Sequence, residues 1–162
     1  TMERLNDDDA DIAITESFDP HSDYEDITLT RIELVTVLSP SSPLASRASQ
    51  LTDRDFEGSV QILVRDTSRH SEKRTAGVVE GVRHWVVNDF MMKKRIIASG
   101  LGWGRMPRHM VEDEINSGEL LMLSGDGLAP IETDVKAVRK KNRPMGPVTS
   151  ELWKQLQQID WG

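Results

Sequence analysis

The sequence predicts an α/β protein: a sheet whose strands are linked through helices that cross over its faces. The first observation behind this is alternation, since short apolar or β-branched runs take turns with helix-like segments along most of the chain. The second is composition. With 37% of its 162 residues hydrophobic, the chain can build a core, which excludes bulk disorder. The third is the lack of cysteine, which excludes disulfide scaffolds, thiolate metal sites, redox pairs and cysteine nucleophiles.

Met2–Leu5 reads as the last turn of a helix whose beginning is missing, because one turn has little reason to nucleate alone. The chain is therefore expected to be a fragment that starts inside a domain. Ala10–Ile14 is near-continuously apolar and fits a strand covered on both faces, as in a parallel sheet. Thr28–Leu38 alternates polar and apolar residues over many β-branched positions and reads as a long strand. Ser39–Pro43 is a turn cluster, and Leu51–Phe56 a short helical piece. Val60–Val64 is the next buried-strand candidate, followed by polar loop from Arg65 to Gly81. His84–Val87 is a strand, and Asn88 or Asp89 can cap a helix over about Met91–Ser99 that buries Met92, Ile96 and Ile97 and stops at Gly100. Gly102–Met106 is strand-like. Pro107 suits the first position of a helix whose Met110, Val111 and Ile115 face inward before Gly118 ends it. Leu120–Leu123 and Thr133–Val138 are strands. Thr149 or Ser150 caps a last helix with Leu152, Trp153, Leu156 and Ile159 on one face.

Charge is unevenly spread. The chain holds 20 basic and 27 acidic residues for a net −7, but residues 1–26 carry ten acids against Arg4 alone, leaving the rest at +2. The nearest approach to a basic face is Lys136, Arg139, Lys140, Lys141 and Arg143, which reads as a solvated strand end rather than a duplex-binding surface. No apolar run approaches the roughly 18–20 residues that span a bilayer. Thr1–Asp11 is acidic where a signal peptide is basic and then apolar. A cytoplasmic protein without a membrane partner is expected.

Most catalytic and metal chemistry lacks a starting point. His21, His70, His84 and His109 form no pair at ligand spacing, and there is no HExxH, no GxSxG and no phosphate-binding GxxxxGK[ST]. Gly100-Leu-Gly-Trp-Gly104 sits after a helix and before a strand, the reverse of a dinucleotide loop, so its glycines are expected to end the helix and let the next strand approach closely. No catalytic residue, metal or cofactor is assigned.

Open α/β sheets bind ligands where strand carboxyl ends meet helix amino ends. Three such edges are legible: Thr15, Glu16, Ser17 and Phe18; Asp66, Thr67, Ser68 and Arg69; and Asn88, Asp89, Phe90 and Met91. The hydroxyls of Thr15, Ser17, Thr67 and Ser68, with free helix amides, suit a small carboxylate or similar polar anion. The plainer alternative is that all three are ordinary caps and turns.

The run Lys93–Leu123 resembles the helix–strand–helix signature of the effector-binding domains of LysR-type transcriptional regulators, with Gly100, Leu101, Gly102, Pro107, Val111, Gly118 and Leu120 at the pattern positions. Ile32-Glu-Leu-Val, Ser39-Pro40 and Pro43-Leu-Ala are similar to the family's first crossover, with serine where histidine is common. Asp9–Ile14 resembles a strand of the first lobe, and Gly146-Pro147 with Leu152, Trp153 and Leu156 resembles the C-terminal helix. The resemblance implies a periplasmic-binding-protein-like (type II) fold, two α/β lobes joined by two crossover strands. Lobe I, partial, would be 1–27 plus 140–162, lobe II 38–131, and the crossovers 28–37 and 132–139.

The same resemblance implies an effector-sensing domain that binds a small polar or anionic metabolite between its lobes and thereby controls the geometry of a DNA-bound oligomer. Lobe I's opening strand and helix, and the family's winged helix-turn-helix, have no counterpart here, so DNA contact and firm self-association are expected of a parent protein. In this chain the lobe II pairing helix would be Pro107–Ser117, showing His109, Glu112, Asp113 and Asn116 outward. With the lobe I partner helix lacking, the paired surface should fall below the roughly 1,200–2,000 Å² of stable contacts. The 162-residue chain is expected to sediment at micromolar concentration as a monomer or weak dimer; a tight dimer would refute that assignment. Two other readings share the scaffold, a solute-binding protein of a transport system and a small enzyme. An upstream helix-turn-helix or a signal peptide would separate the first two.

Overall fold

The computed structural model describes residues 2–16, 22–49, 51–65, 81–125 and 127–159. Its elements in chain order are α1 (Met2–Asn6), β1 (Ala13–Glu16), β2 (Tyr24–Leu38), two 3-10 turns (Pro43–Arg47 and Asp53–Phe56), β3 (Val60–Val64), β4 (Arg83–Val87), α2 (Phe90–Ala98), β5 (Trp103–Pro107), α3 (Arg108–Ser117), β6 (Leu121–Met122), β7 (Ile131–Lys140) and α4 (Pro147–Gln158). The chain divides into two units. One comprises the described residues up to Ile32 and from Glu132 onward, the other those between Glu33 and Ile131.

In the first unit β1 pairs antiparallel with β7, Ala13 opposite Val138 and Glu16 opposite Val135. The expected strand at Ala10–Ile14 thus begins three residues later. It is also not covered on both faces: Ile14 is 54% exposed while Ala13 is buried, the one-sided burial usual in antiparallel sheets. The single turn of α1 holds because Leu5 is wholly buried against Ala13 and Val138, so tertiary packing replaces the missing helix length. On the other side, Trp153 and Leu156 of α4 pack on Ala137 with Ile12, Ile27 and Leu29. α4 starts earlier than its threonine and serine suggest, with Gly146 at the cap and Pro147 in the first turn. Its buried stripe is narrower than expected. Leu152 lies a residue off it and stays half exposed, and Ile159, already past the helix in extended backbone, does likewise.

The basic run along β7 is ion-paired rather than merely solvated. Lys136 meets Asp26 at 2.8 Å, Arg139 pairs with Glu25, Lys140 meets Asp8 at 2.8 Å, and Arg143 reaches Asp8 at 3.4 Å and Asp11 at 3.2 Å. Lys140 holds the Asp8 carboxyl below its ordinary range. Each exposed pair is worth little alone. Together they tie part of the acidic beginning, Asp8, Asp11, Glu25 and Asp26, to most of the basic run, while Lys141 donates to the Ser22 carbonyl at 3.0 Å.

In the second unit β3 lies between β4 and β5 and is parallel to both (Val60 beside Arg83 and Val64 beside Val87 on β4). β5 runs antiparallel to the C-terminal half of β2, Leu34 opposite Pro107, and β6 pairs with the end of β2. One face of this sheet packs Val35, Val37, Ile62 and Met106 against Ile97 of α2 and Val111 of α3. The other packs Leu38 and Trp103 against Leu51, Phe56, Leu123 and Leu128. There the Trp103 ring sits 4.5 Å from that of Phe56, and its Nε1–H donates to Ser59 Oγ at 3.0 Å. The close approach expected of the glycine run is present: a Cβ at Gly102 would lie 2.6 Å from the Val60 carbonyl oxygen, and one at Gly104 2.7 Å from that of Ile62.

Three local expectations change. Asp89, not Asn88, caps α2, and the buried residues of that helix are Lys93 and Ile97, while Met92 is half exposed. Pro107 is the cap of α3 and still in strand β5, not its first helical residue. α3 ends as expected at Gly118, whose φ of 80° is the left-handed conformation glycine tolerates. Arg105, only 8% exposed, lies on the far face of β5 from α2. Its guanidinium donates to the carbonyls of Gly127 at 2.7 Å and Ala129 at 2.8 Å, tying down the loop before β7. Among the described residues no helix is long and apolar enough to cross a membrane.

Candidate functional site

Because β3, β4 and β5 are parallel, their carboxyl ends Val64, Val87 and Pro107 emerge at one edge of the second unit. Two helices begin at that edge, α2 two residues after β4 and α3 directly after β5. Free amides and the positive ends of both helix dipoles therefore face the same way. Arg65 extends the β3–β4 pairing, its backbone N–H donating to the Val87 carbonyl at 2.7 Å. The Asp89 carboxylate accepts from the Met92 N–H at 2.8 Å, whereas the start of α3 has no side-chain cap. Arg108, first in α3, turns its guanidinium to Glu33 and Met122 Sδ.

Of the residues predicted to form the site, Asn88, Asp89, Phe90 and Met91 lie at this edge. Asn88 and Met91 are exposed, and the Phe90 ring is half-buried against the core. Thr15 and Glu16 end β1 in the first unit, where they pair with Lys136 and Val135, and the Thr15 hydroxyl donates to the Glu16 carbonyl at 3.4 Å. Ser17 and Phe18, and all of Asp66, Thr67, Ser68 and Arg69, lie outside the described residues.

One residue of functional character was not foreseen. Lys93 is 4% exposed, and its side chain passes beneath α2 over Gly104: a Cβ there would lie 2.8 Å from Lys93 Cε and 3.3 Å from Nζ. The ammonium turns back toward the first turn of the helix, 5.7 Å from the centre of the Phe90 ring. Burial, with a smaller push from the Arg105 charge, lowers its pKa to about 8. The signal was available in sequence, because Phe90, Lys93 and Ile97 share one helical stripe. The neighbouring Lys94 behaves ordinarily, donating to the Met110 carbonyl at 2.7 Å and pairing with Glu114, so it ties α2 to α3.

Elsewhere in the unit an open depression of about 500 Å³ is lined by Ser46, Arg47, Ser49, Thr52, Arg54 and Asp55. The Thr52 N–H and hydroxyl, with Arg47, hold the Asp55 carboxyl down to about 2, so much of its charge is already satisfied internally. No cluster of three metal-ligating side chains occurs among the described residues.

Comparison with protein families matches residues 1–160 to the LysR substrate binding domain. The chain belongs to this family. It is 28% identical over 69% of its length to the uncharacterized HTH-type transcriptional regulator YeeY of Escherichia coli K12, spanning 37% of that protein. Among solved structures, the bromide-bound regulatory domain of HypT from Salmonella typhimurium matches 98% of the chain and 76% of its own with a TM-score of 0.69 at 19% identity. Full-length LysG from Corynebacterium glutamicum with bound effector Arg matches 98% of the chain and 53% of its own at a TM-score of 0.64 and 21% identity. The fold class of this LysR domain is thus the type II periplasmic-binding-protein-like α/β arrangement that the sequence implied, and the family is one of regulatory domains rather than enzymes.

Proposed function

We propose that this LysR domain is the effector sensor of a longer transcriptional regulator, and that its effector is a small polar organic anion held by the strand-end segments Thr15–Phe18, Asp66–Arg69 and Asn88–Met91. The observation that carries the reading is the parallel β3–β4–β5 edge, where three strand carboxyl ends meet the amino end of α2 at Phe90. Of the neighbours, the HypT regulatory domain holds bromide, an anion, whereas LysG binds arginine, whose carboxylate comes with cationic groups. In this reading residues 1–27 and 140–162 form lobe I, 38–131 lobe II, and 28–37 with 132–139 the crossovers. Effector binding shifts the equilibrium between regulator states only by its differential affinity for them. DNA contact and oligomer assembly belong to the longer protein, and the bound effector is released unchanged.

Calorimetry of the 162-residue chain against a metabolite panel, with Thr15→Val and Asn88→Ala beside wild type, tests the site. Each variant removes a hydrogen-bonding group from a different unit, at a cost of about 1 kcal/mol or several-fold in affinity. Loss on both variants for one ligand supports a site that uses both segments. A ligand indifferent to both variants refutes it, and turnover of any ligand refutes the non-catalytic role.

A further inference from the structure

Lys93 is an expensive residue to keep under α2. A buried ammonium normally pairs with a carboxylate, yet no acid and no hydrogen-bond acceptor meets Lys93 among the described residues; only the Phe90 ring lies against it. The sheet has also adapted to it, since Gly104 leaves the space that the lysine stem crosses. A methionine would fill the same volume without a charge. The charges nearest it are cations: Arg105, whose charge adds to the lowering of its pKa, and the exposed Arg83, which alternation places on the α2 side of β4 with Val87. The sheet face beneath it presents Ile62 and Gly104, and the register puts Gln61, His84 and Arg105 on the opposite face. On its own helix, Lys94 is paired with Glu114 of α3, Arg95 is exposed, and the Asp89 carboxylate is exposed and engaged with the Met92 amide.

We infer that Lys93 is the charge anchor of the site: its ammonium, with the free amides at the start of α2, receives a single carboxylate or comparable monoanion beside the Phe90 ring. This rests on the effector-sensing reading and adds to it a residue and a ligand charge. A cation at this position selects anions over neutral analogues of equal shape, and the aromatic ring beside it favours a flat or apolar group next to the charge. With the free amine titrating at about 8, a bound anion favours the protonated form, so binding above that pH takes up a proton. In the unliganded chain the sign is opposite. The buried charge opposes folding at neutral pH, and that penalty lifts as pH rises through about 8 toward the ordinary lysine value.

The test uses the 162-residue chain with acetate, benzoate and bromide as probes, read by NMR of the lysine side-chain amines and by calorimetry, on wild type and Lys93→Met. The expected results are a Lys93 titration midpoint that rises by at least one pH unit with a probe, affinity that falls about tenfold per pH unit above the free midpoint, and at least tenfold weaker binding to Lys93→Met, which melts no lower than wild type at pH 7. A midpoint unmoved by all three probes overturns the inference, as does a Lys93→Met chain that binds them as wild type does. Should Lys93→Met not fold, the wild-type midpoint alone decides. A metabolite that binds Lys93→Met undiminished but is lost on Thr15→Val and Asn88→Ala would refute the anchor while leaving the effector site standing.

Discussion

Gly104→Val is expected to destabilise the second unit by about 3 kcal/mol, the upper range for forcing atoms into a packed interior. The reason is backbone, not side chain alone. A Cβ at 104 would sit 2.7 Å from the Ile62 carbonyl oxygen and 2.8 Å from Lys93 Cε. The lysine could swing aside at the cost of its position, but the carbonyl belongs to the central strand β3 and moves only with it. Chemical denaturation followed by Trp103 fluorescence measures the effect, since that ring lies in the same strand, buried against Phe56. An unchanged midpoint would mean that β5 slides away from β3 at little cost. The conservative partner, Gly104→Ala, should fall between the two, and its residual anion affinity reports how far Lys93 has been displaced.

The second large effect is expected from Arg105→Met. Methionine keeps most of the stem volume but removes the donors to the Gly127 and Ala129 carbonyls. Hydrogen bonds from a charged donor contribute roughly 1.5–3 kcal/mol each, although Gly127 and Ala129 are exposed, so water takes over part of what their carbonyls lose. Burying a guanidinium is itself unfavourable, as the lowering of its pKa by burial shows, so part of the loss is offset. A net destabilisation of about 2–3 kcal/mol remains. Hydrogen exchange adds a local reading: the Leu128 N–H, which donates to the Gly125 carbonyl at 3.1 Å, should lose protection first. Wild-type protection in the variant would mean that the loop holds its shape through Leu128 burial alone.

The strands were legible where the chain wrote a short apolar run between polar stops. Val60–Val64 is legible to the residue for that reason, as the middle of three parallel strands with helices on one face and the Leu51, Phe56, Leu123 and Leu128 cluster on the other. β1 misled because Ala10 and Ile12 are apolar for different reasons: Ile12 packs against α4 outside the strand, and pairing with β7 begins only at Ala13. The error at α2 has more functional weight. Reading the helix by hydrophobicity turned Met92 inward, whereas the stripe that meets the sheet runs through Phe90, Lys93 and Ile97. Propensity rules expect a lysine to stay outside. The facing Gly104, on the neighbouring strand β5, makes room for it.

The glycine-rich run reads as a packing device in sequence and in structure, because two alternate strand positions without side chains leave few other uses for them. The strand-end segments came from topology, which sequence alternation does convey. What it does not convey is which polar groups at those ends are already satisfied. Asp89 is engaged as a cap and Thr15 bonds to its neighbour's carbonyl, and neither fact follows from residue type.

The pairing between the acidic beginning of the chain and the cations of β7 also dictates an order of assembly. Asp8 and Lys140 stand 132 residues apart, and Asp11 bonds with Thr149 across 138. Contacts of such separation demand closure of nearly the whole chain before they return anything, and they slow folding accordingly. The described residues of the second unit all lie between Glu33 and Ile131, so during synthesis it can complete itself while residues 1–26, with ten acids and one base, still repel one another. That early segment stays open until β7 and α4 leave the ribosome and bring its counter-charges. Asp8, Asp11, Glu25 and Asp26 are therefore among the last residues to find their partners, and any pause in translation before Lys136 would leave the second unit finished while these acids still lack counter-charges.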